Sequence, residues 1–406
     1  MRLSPLPAEF EAAAPVLRRL NDAGYEAYFV GGAVRDALLH DRIHDVDIAT
    51  SAYPAEVKAL FKRTVDTGIQ HGTVTVLQPQ GQYEVTTFRT ESTYQDYRRP
   101  DHVTFVRSLR EDLQRRDFTV NALAMDHTGQ ITDLFDGLGD LQRHLLRAVG
   151  KPEERFHEDA LRMMRAVRFQ SQLSFTIEPA TEAAIRHHHQ LLEKIAVERI
   201  NMEFVKMMAA QDRASGLKTF IDTQLYTACP GLAGQQTALT SMLADVPHRL
   251  AESGSVWLRL VFALGLAENA VGPFLRAWKT TNTERRQAAR LLPVLAKIQT
   301  GTAGAWDLYQ AGPEFDSVLL PVAAQLGIAV DQWQERYAAL PIHQAHDLAV
   351  DGRTVMQAAP ALRGPALGQA MTAMTQAVVA GQAANTPAAL LAYIQKTQQT
   401  KDGQSL

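Results

Sequence analysis

Cysteine is almost missing from this 406-residue chain, which carries only Cys229. One thiol excludes an internal disulfide framework and any multi-cysteine zinc site, and it reads as a small buried hydrophobe in a reducing compartment. Long apolar runs are missing as well: no stretch reaches the roughly 18 residues of a membrane span. The opening MRLSPLPAEFEAAAP sets prolines and acids where a signal peptide needs a hydrophobic run. No membrane association is therefore expected, and the expected compartment is the cytoplasm. An excess of positive charge is lacking too, with 41 Lys and Arg against 44 Asp and Glu and a formal net charge of −3. Whole-chain charge is a weak guide to nucleic-acid binding, because phosphate contacts depend on local clusters. Arginine is in fact concentrated in the middle of the chain, from Arg98, Arg99, Arg107 and Arg110 to Arg165 and Arg168. Low-complexity linkers and clear internal repeats do not occur.

What is present is ordinary globular composition, 46% hydrophobic and 21% charged, on a chain long enough for two to four domains. The most informative stretch is YFVGGAVRDALLHDRIHDVDIAT, from Tyr28 to Thr50. In a strand the side-chain period is two, so Asp45 and Asp47 are expected on one face while Val46 and Ile48 enter a core. Adjacent carboxylates repel unless a cation lies between them. Hard oxygen ligands suit Mg²⁺, which fills its octahedron with phosphate oxygens, and the Gly31-Gly32 pair offers backbone N–H groups that a phosphate can approach. A lone D-x-D or a lone G-G is common and bland; at this spacing, each at a strand end, they outline a nucleotidyl-transfer site.

Around that stretch, apolar spacing predicts a helix over Ala8 to Ala23 and a strand over Tyr25 to Val30. Val34 to Leu39 reads as a short helix whose N-terminus points at the glycine turn. Arg35 in its first turn is expected to meet triphosphate and Asp36 to orient its neighbours; a surface ion pair is the alternative. A helix over Ala55 to Lys62 and strands over Thr73 to Leu77 and Tyr83 to Phe88 complete an α/β head with a small mixed sheet. Glu84, on the second of those strands, is either a third carboxylate facing the pair or a solvated edge residue. The polar run from Arg89 to Val106 carries Tyr94, Asp96, Arg98 and Arg99 and is too long for an ordinary connection. In LQRRDFTVNALAM, Arg116 and Asp117 are expected to pair or to serve a polyanion. Asp136 to Leu141, DGLGDL, suggests a hinge or tight turn. Arg155 to Leu173 reads as one amphipathic helix on which Asp159, Arg162, Arg165 and Arg168, three residues apart, form a slanting polar ramp. His187, His188 and His189 are taken as a solvated helix face, since neighbours on a helix point about 100° apart. From about Ala209 onward the pattern is helical throughout.

GGAVRD followed by DVDIAT resembles the class II tRNA nucleotidyltransferases, the CCA-adding enzymes and their bacterial poly(A) polymerase relatives, within the polymerase-beta-type superfamily. The resemblance extends over residues 28 to 203. It includes R-R-D at Arg115 to Asp117, D-G-x-x-D-L at Asp136, E-D-x-x-R at Glu158 to Arg162, and E-R-x-x-x-E at Glu198, Arg199 and Glu203. It implies an α+β architecture: a nucleotidyltransferase head over 1–148, then an all-α neck over 149–208, body over 209–295 and tail over 296–406. The implied enzyme adds C, C and A to the 3′ end of tRNA from CTP and ATP, and it depends on Mg²⁺. Asp45 and Asp47 would be its catalytic metal ligands, and Gly32, Arg35 and Arg116 its triphosphate contacts. The polar run at Tyr94, Asp96, Arg98 and Arg99 resembles the flexible loop linked to the switch from C to A. The tail would hold the tRNA elbow, and a homodimer is possible.

Base choice without a template follows from the ramp. Asp159 only accepts hydrogen bonds and Arg162 only donates them. Cytosine and adenine present an amino donor beside a ring-nitrogen acceptor, whereas uracil and guanine reverse the pattern. Unpaired polar groups in a desolvated pocket cost about 1 to 3 kcal/mol each, so C and A pass. Arg165 and Arg168 would then orient Asp159 or hold phosphate. Three alternatives stay open: a poly(A) polymerase, an enzyme adding only A, and a catalytically inactive tRNA-binding protein. Poly(A) polymerase relatives typically carry a basic G-R-R-F-like segment where this chain has TGIQHGTVTV, Thr67 to Val76.

Overall fold

A seven-stranded mixed sheet organises the N-terminal part of the computed structural model, which describes residues 1–91 and 103–402. Helix α1 (Ala8–Asp22) leads to β1 (Ala27–Val30), α2 (Gly32–Leu38), β2 (Asp47–Thr50) and α3 (Pro54–Leu60). Next come β3 (Thr64–Gly68), β4 (Thr73–Gln78), β5 (Gly81–Thr87) and the small β6 (Arg89–Glu91) and β7 (Val103–Phe105) pair. Helix α4 (Leu109–Gln114), β8 (Leu123–Met125), β9 (Ile131–Asp133) and α5 (Gly137–Gln142) follow. The strand order is β3-β4-β5-β2-β1-β8-β9, with β2 and β5 parallel and the other pairs antiparallel.

Register assigns the two faces. Ile48 is paired with Phe29 on one side and Val85 on the other, and all three are fully buried. Phe10 of α1 packs on Phe29 at 4.8 Å between ring centroids, so this face holds the helix-covered core. Asp47 and Glu84 each precede a member of that paired row, so the pleat turns both to the opposite face. That face is closed further along by Val30, Ala49 and Ala124 packing with Leu109 and Leu113 of α4.

Beyond the sheet the chain is mostly helical: after β10 (Leu145–Leu146) come α6 (Pro152–Glu158) and α7 (Leu161–Leu173). The single helix expected over Arg155 to Leu173 is thus two. Asp159 leaves helical geometry at φ −139°, ψ 102°, and its Oδ1 accepts the Leu161 N–H at 3.0 Å. A short acidic side chain that bonds the backbone two residues on competes with the helix and restarts it. After β11 (Thr176–Ile177) follow α8 (Pro179–His188), α9 (Val197–Met208) and α10 (Arg213–Asp222). Asp136 adopts left-handed geometry, φ 62°. The next residue has to be small, because a Cβ on Gly137 would lie 2.3 Å from the Thr119 carbonyl oxygen.

The described residues divide into two compact units, Met1–Gln236 and Thr237–Leu406. The second is helical, with Trp257 and Trp278 fully buried and 5.2 Å apart. Its longest helix, Asn282–Gln299, starts from a Thr281–Glu284 capping box. The architecture is the α+β class expected from the sequence, a small mixed sheet followed by helices. Cys229 is buried, and burial pushes its thiol far up from the ordinary range. Among the described residues no helix is long and apolar enough to cross a membrane.

Candidate active site

The open part of the sheet face carries the carboxylates. Asp45 stands just ahead of β2 rather than within it, because regular pairing with β1 begins at Asp47. Asp45, Asp47 and Glu84 line one cavity of about 800 Å³, with Thr67, Thr75 and Leu77 on its floor. The Thr67 and Thr75 hydroxyls bond each other at 2.8 Å. Burial, then the negative charge of Glu84, and less strongly that of Asp45, push the Asp47 carboxyl above its ordinary range, while Arg116 opposes them. Like charge is therefore left unbalanced here, as a cation site requires. Among the described residues no three His, Cys, Asp or Glu side chains form a ready-made metal cage. A Mg²⁺ that takes one or two carboxylates and completes its shell with phosphate and water needs none.

The glycine turn lies beside Asp47. Gly31 has φ 75°, and a Cβ there would meet Arg116 Nη1 at 3.1 Å and Asp47 Oδ2 at 4.0 Å. Backbone, arginine and carboxylate thus converge where only glycine fits. Arg116 donates to Asp112 Oδ2 at 3.2 Å, while its buried Nε has no partner among the described residues. The guanidinium charge, whose Nη1 lies beside Gly31, suits an anionic ligand. Arg35 is buried instead, donating to Asp36 Oδ1 at 2.6 and 2.8 Å and to Asn121 Oδ1 at 2.5 Å, with its guanidinium 5.1 Å from the Phe169 ring.

The segment from Asp112 to Asn121 carries this site to the neck helices. Asp112 is fully buried; burial would raise its carboxyl, and Arg115 and Arg116 together hold it below the ordinary range. Arg116 and Asp117, expected to pair or to serve a polyanion, do not pair with each other, and each takes another partner. Asp117 binds Arg165 Nε at 2.7 Å, the Asn121 amide at 3.1 Å and the Phe118 N–H at 2.8 Å. Burial alone would raise Asp117, yet these donors hold it well below the carboxylate range. The reason is position: Arg116 lies one turn after Asp112, within i,i+4 reach, and Asp117 has left that helix.

The ramp residues are close together, but their partners differ from those expected. Asp159 accepts from Arg199 Nη2 at 2.8 Å. Arg162, 7% exposed, donates to Glu158 Oε2 at 2.7 Å and to the Arg115 carbonyl at 2.7 Å. Arg165 reaches Asp117, and Arg168 donates to Glu203 Oε2 at 2.5 Å while lying 3.6 Å from the Phe169 ring centroid. No hydrogen bond from either to Asp159 is seen among the described residues, although Arg165 feels its charge. Arg199 and Glu203 of the E-R-x-x-x-E element thus make ion pairs with Asp159 and Arg168. Tyr94, Asp96, Arg98 and Arg99 lie outside the described residues. His188 meets Glu153 and the rings of His157 and His187, so it is more enclosed than the solvated face expected.

Asp112 and Asn121 were not singled out by sequence reasoning, and Glu158 only as a member of E-D-x-x-R, without a partner. The i,i+4 spacing of Asp112 and Arg116 could have revealed the first, and Glu158 sits four before Arg162 in the same way. Asn121 carries no such signal.

Comparison with known proteins gives three matches to family models. The poly A polymerase head domain matches residues 27–147 and the probable RNA and SrmB-binding site of polymerase A matches residues 174–235. The tRNA nucleotidyltransferase domain 2 (putative) matches residues 248–394. The CCA-adding enzyme of Limosilactobacillus fermentum is 53% identical over 96% of this chain and 98% of its own length. That of Lacticaseibacillus paracasei is 54% identical over 95% of this chain and 96% of its own. The crystal structure of the Bacillus stearothermophilus CCA-adding enzyme in complex with CTP superposes with a TM-score of 0.88 at 41% identity, covering 98% of this chain and all of the other.

Proposed function

This chain belongs to the CCA-adding enzymes, and from that premise we propose that it adds C, C and A in turn to the 3′ end of tRNA from CTP and ATP. Each addition joins the tRNA 3′-oxygen to the α-phosphorus of the nucleotide and breaks the bond to the β-phosphate, releasing pyrophosphate. The observation that carries the reading is the convergence of Gly31, the Arg116 guanidinium and Asp47, with Asp47 sharing one cavity with Asp45 and Glu84. Divalent ions, Mg²⁺ in this reading, would supply charge neutralisation at the phosphates and activate the 3′-hydroxyl. Asp45 and Asp47 would hold them, with Glu84 as third carboxylate. The backbone at Gly31 and Gly32 and the Arg116 guanidinium hold the triphosphate. Arg35 supports it through Asn121, which also binds Asp117.

Asp159 and Arg162 read the base edge. Arg199 and Glu158 hold them in place, and Asp117 and Glu203 anchor Arg165 and Arg168 behind them. On this reading residues 1–148 form the catalytic head, 149–208 the base-selecting neck, 209–295 the body and 296–406 the tRNA-binding tail. The test is to incubate tRNA lacking its terminal CCA with labelled CTP alone, ATP alone, or both, and to size the products. Three added residues that require both nucleotides support the reading. A long A ladder would identify a poly(A) polymerase, A added only to tRNA ending in CC an A-only enzyme, and no product an inactive RNA-binding protein.

A further inference from the structure

Among the described residues, three arginines from two parts of the first unit meet at one aromatic ring. Phe169 of α7 is 5% exposed, and the guanidinium carbons of Arg168, Arg35 and Arg165 lie 3.6, 5.1 and 5.2 Å from its ring centroid. Arg35 comes from α2 beside the glycine turn, whereas Arg165 and Arg168 precede the ring on its own helix. The ring also makes an edge-to-face contact with Phe118, fully buried in the segment after α4, at 5.9 Å between centroids and 84° between planes. Phe169 thus joins the sheet-bearing part of the chain to the neck helix, and the chemistry above gives it no role.

Each of the three guanidiniums is paired with a carboxylate: Arg35 with Asp36, Arg165 with Asp117 and Arg168 with Glu203. These pairs offset the charges but do not draw the arginines to one another, and like charges in a buried site repel with little screening. Burial, opposed by Glu203, disfavours the charged form of Arg168, and the nearby charge of Arg165 disfavours it further. An aromatic ring carries negative potential on its faces and attracts guanidiniums within about 6 Å, most strongly where water is excluded. An aliphatic side chain would fill the same space without that attraction. The ring therefore holds together what charge alone would spread, and Asn121, which binds both Arg35 and Asp117, closes the link from the other side. We propose that Phe169 is a positioning residue for nucleotide transfer, its ring holding Arg35 beside the triphosphate site in register with Arg165 and Arg168 behind the base-reading residues. The proposal rests on the reading of those two sites given above, and Phe169 acts through the arginines rather than by touching the nucleotide.

The test uses the full chain and tRNA lacking its terminal CCA. Position 169 alone is replaced in turn by mono-, di- and trifluorinated phenylalanine, which keep the shape of the ring and withdraw the negative potential of its faces step by step. Single-turnover kcat/KM for CTP is expected to fall in the same steps, to about tenfold below the parent with the trifluorinated ring, and the ratio of CTP over UTP is expected to fall with it. Phe169→Leu, which keeps an apolar side chain and removes the ring, is expected to lose at least as much; should that variant fail to fold, the fluorine series still decides. A role in packing alone predicts that kcat/KM and the ratio stay level across the series. A level series, or a decline that leaves the ratio at its parental value, would overturn the proposal while the parent continues to add CTP. A parent that did not extend this tRNA would instead overturn the functional reading, and the proposal with it.

Discussion

The carboxylate face of the sheet and the arginine-rich neck contain the same kinds of charged residue and treat them in opposite ways. On the sheet, Asp45, Asp47 and Glu84 crowd one cavity with like charge, and Asp47 is pushed above its ordinary range. In the neck each charge has a counter-charge in place: Asp159 with Arg199, Arg162 with Glu158, Arg165 with Asp117 and Arg168 with Glu203. Unbalanced charge costs stability and is useful only where a charged ligand completes it. Balanced charge holds side chains in fixed positions before the ligand arrives, as discrimination requires. On the proposed reading the first binds ions and phosphate and the second presents fixed donors and acceptors to the base.

The largest expected effect is on the unbalanced side. Asp45→Ala or Asp47→Ala should lower single-turnover incorporation by about 10⁴-fold or more, over 5 kcal/mol of transition-state stabilisation. Filter binding should find tRNA affinity unchanged, and substantial residual incorporation would break the metal assignment. On the balanced side the damage should be to stability. Glu203→Gln leaves Arg168 buried without its counter-charge, and chemical unfolding should show a loss of about 3 to 5 kcal/mol. A loss within error would mean that the neck pairs are not holding the helices.

Selectivity comes next in size. Arg162→Lys keeps the charge but loses the planar fork, and discrimination of CTP against UTP in kcat/KM should fall by roughly 10- to 100-fold, about one misplaced hydrogen bond.

The smallest effect is a difference in sign with pH. Asp117 has a lowered folded pKa, so it contributes stability above its unfolded value of about 3.9 that is lost as pH falls below it. Thermal melts of Asp117→Asn should therefore approach the parent toward acid pH. Asp47 has a raised folded pKa, so its ionised form is a cost at neutral pH that is relieved as pH falls through that value. Asp47 is exposed to solvent, so Asp47→Asn should be only slightly more stable at neutral pH and lose that advantage toward acid. Shifts of the same sign in both variants would remove the contrast between the two regions.

Much of this was legible from residue pattern, because period and punctuation act locally. The apolar stripe of α1, the alternation in β4 and β5, and Gly31-Gly32 before the D-x-D each follow from side chains a few positions apart. Glu84 was left between two roles because only the parallel pairing of β2 with β5 puts it beside Asp47. The edge strand β3 was missed because its outer face is solvated and its residues do not alternate. For the polar residues between Asp159 and Arg168 the pattern did not specify the partners that the structure shows. Asp159 was placed on a helix because the apolar spacing runs through it, and its own side-chain bond to the Leu161 N–H is what breaks that helix. The partners Asp117, Arg199 and Glu203 lie 48, 40 and 35 residues away, beyond what spacing can specify.

The division of labour is tested most directly by one ratio, CTP over UTP in single-turnover kcat/KM, measured in two variants. Asp47→Glu should slow both nucleotides and leave the ratio as it is in the parent. Asp159→Asn should collapse it, because an amide can donate where the carboxylate could only accept. A ratio that collapses in Asp47→Glu, or survives in Asp159→Asn, would contradict the account that the sheet performs the transfer and the neck chooses the base.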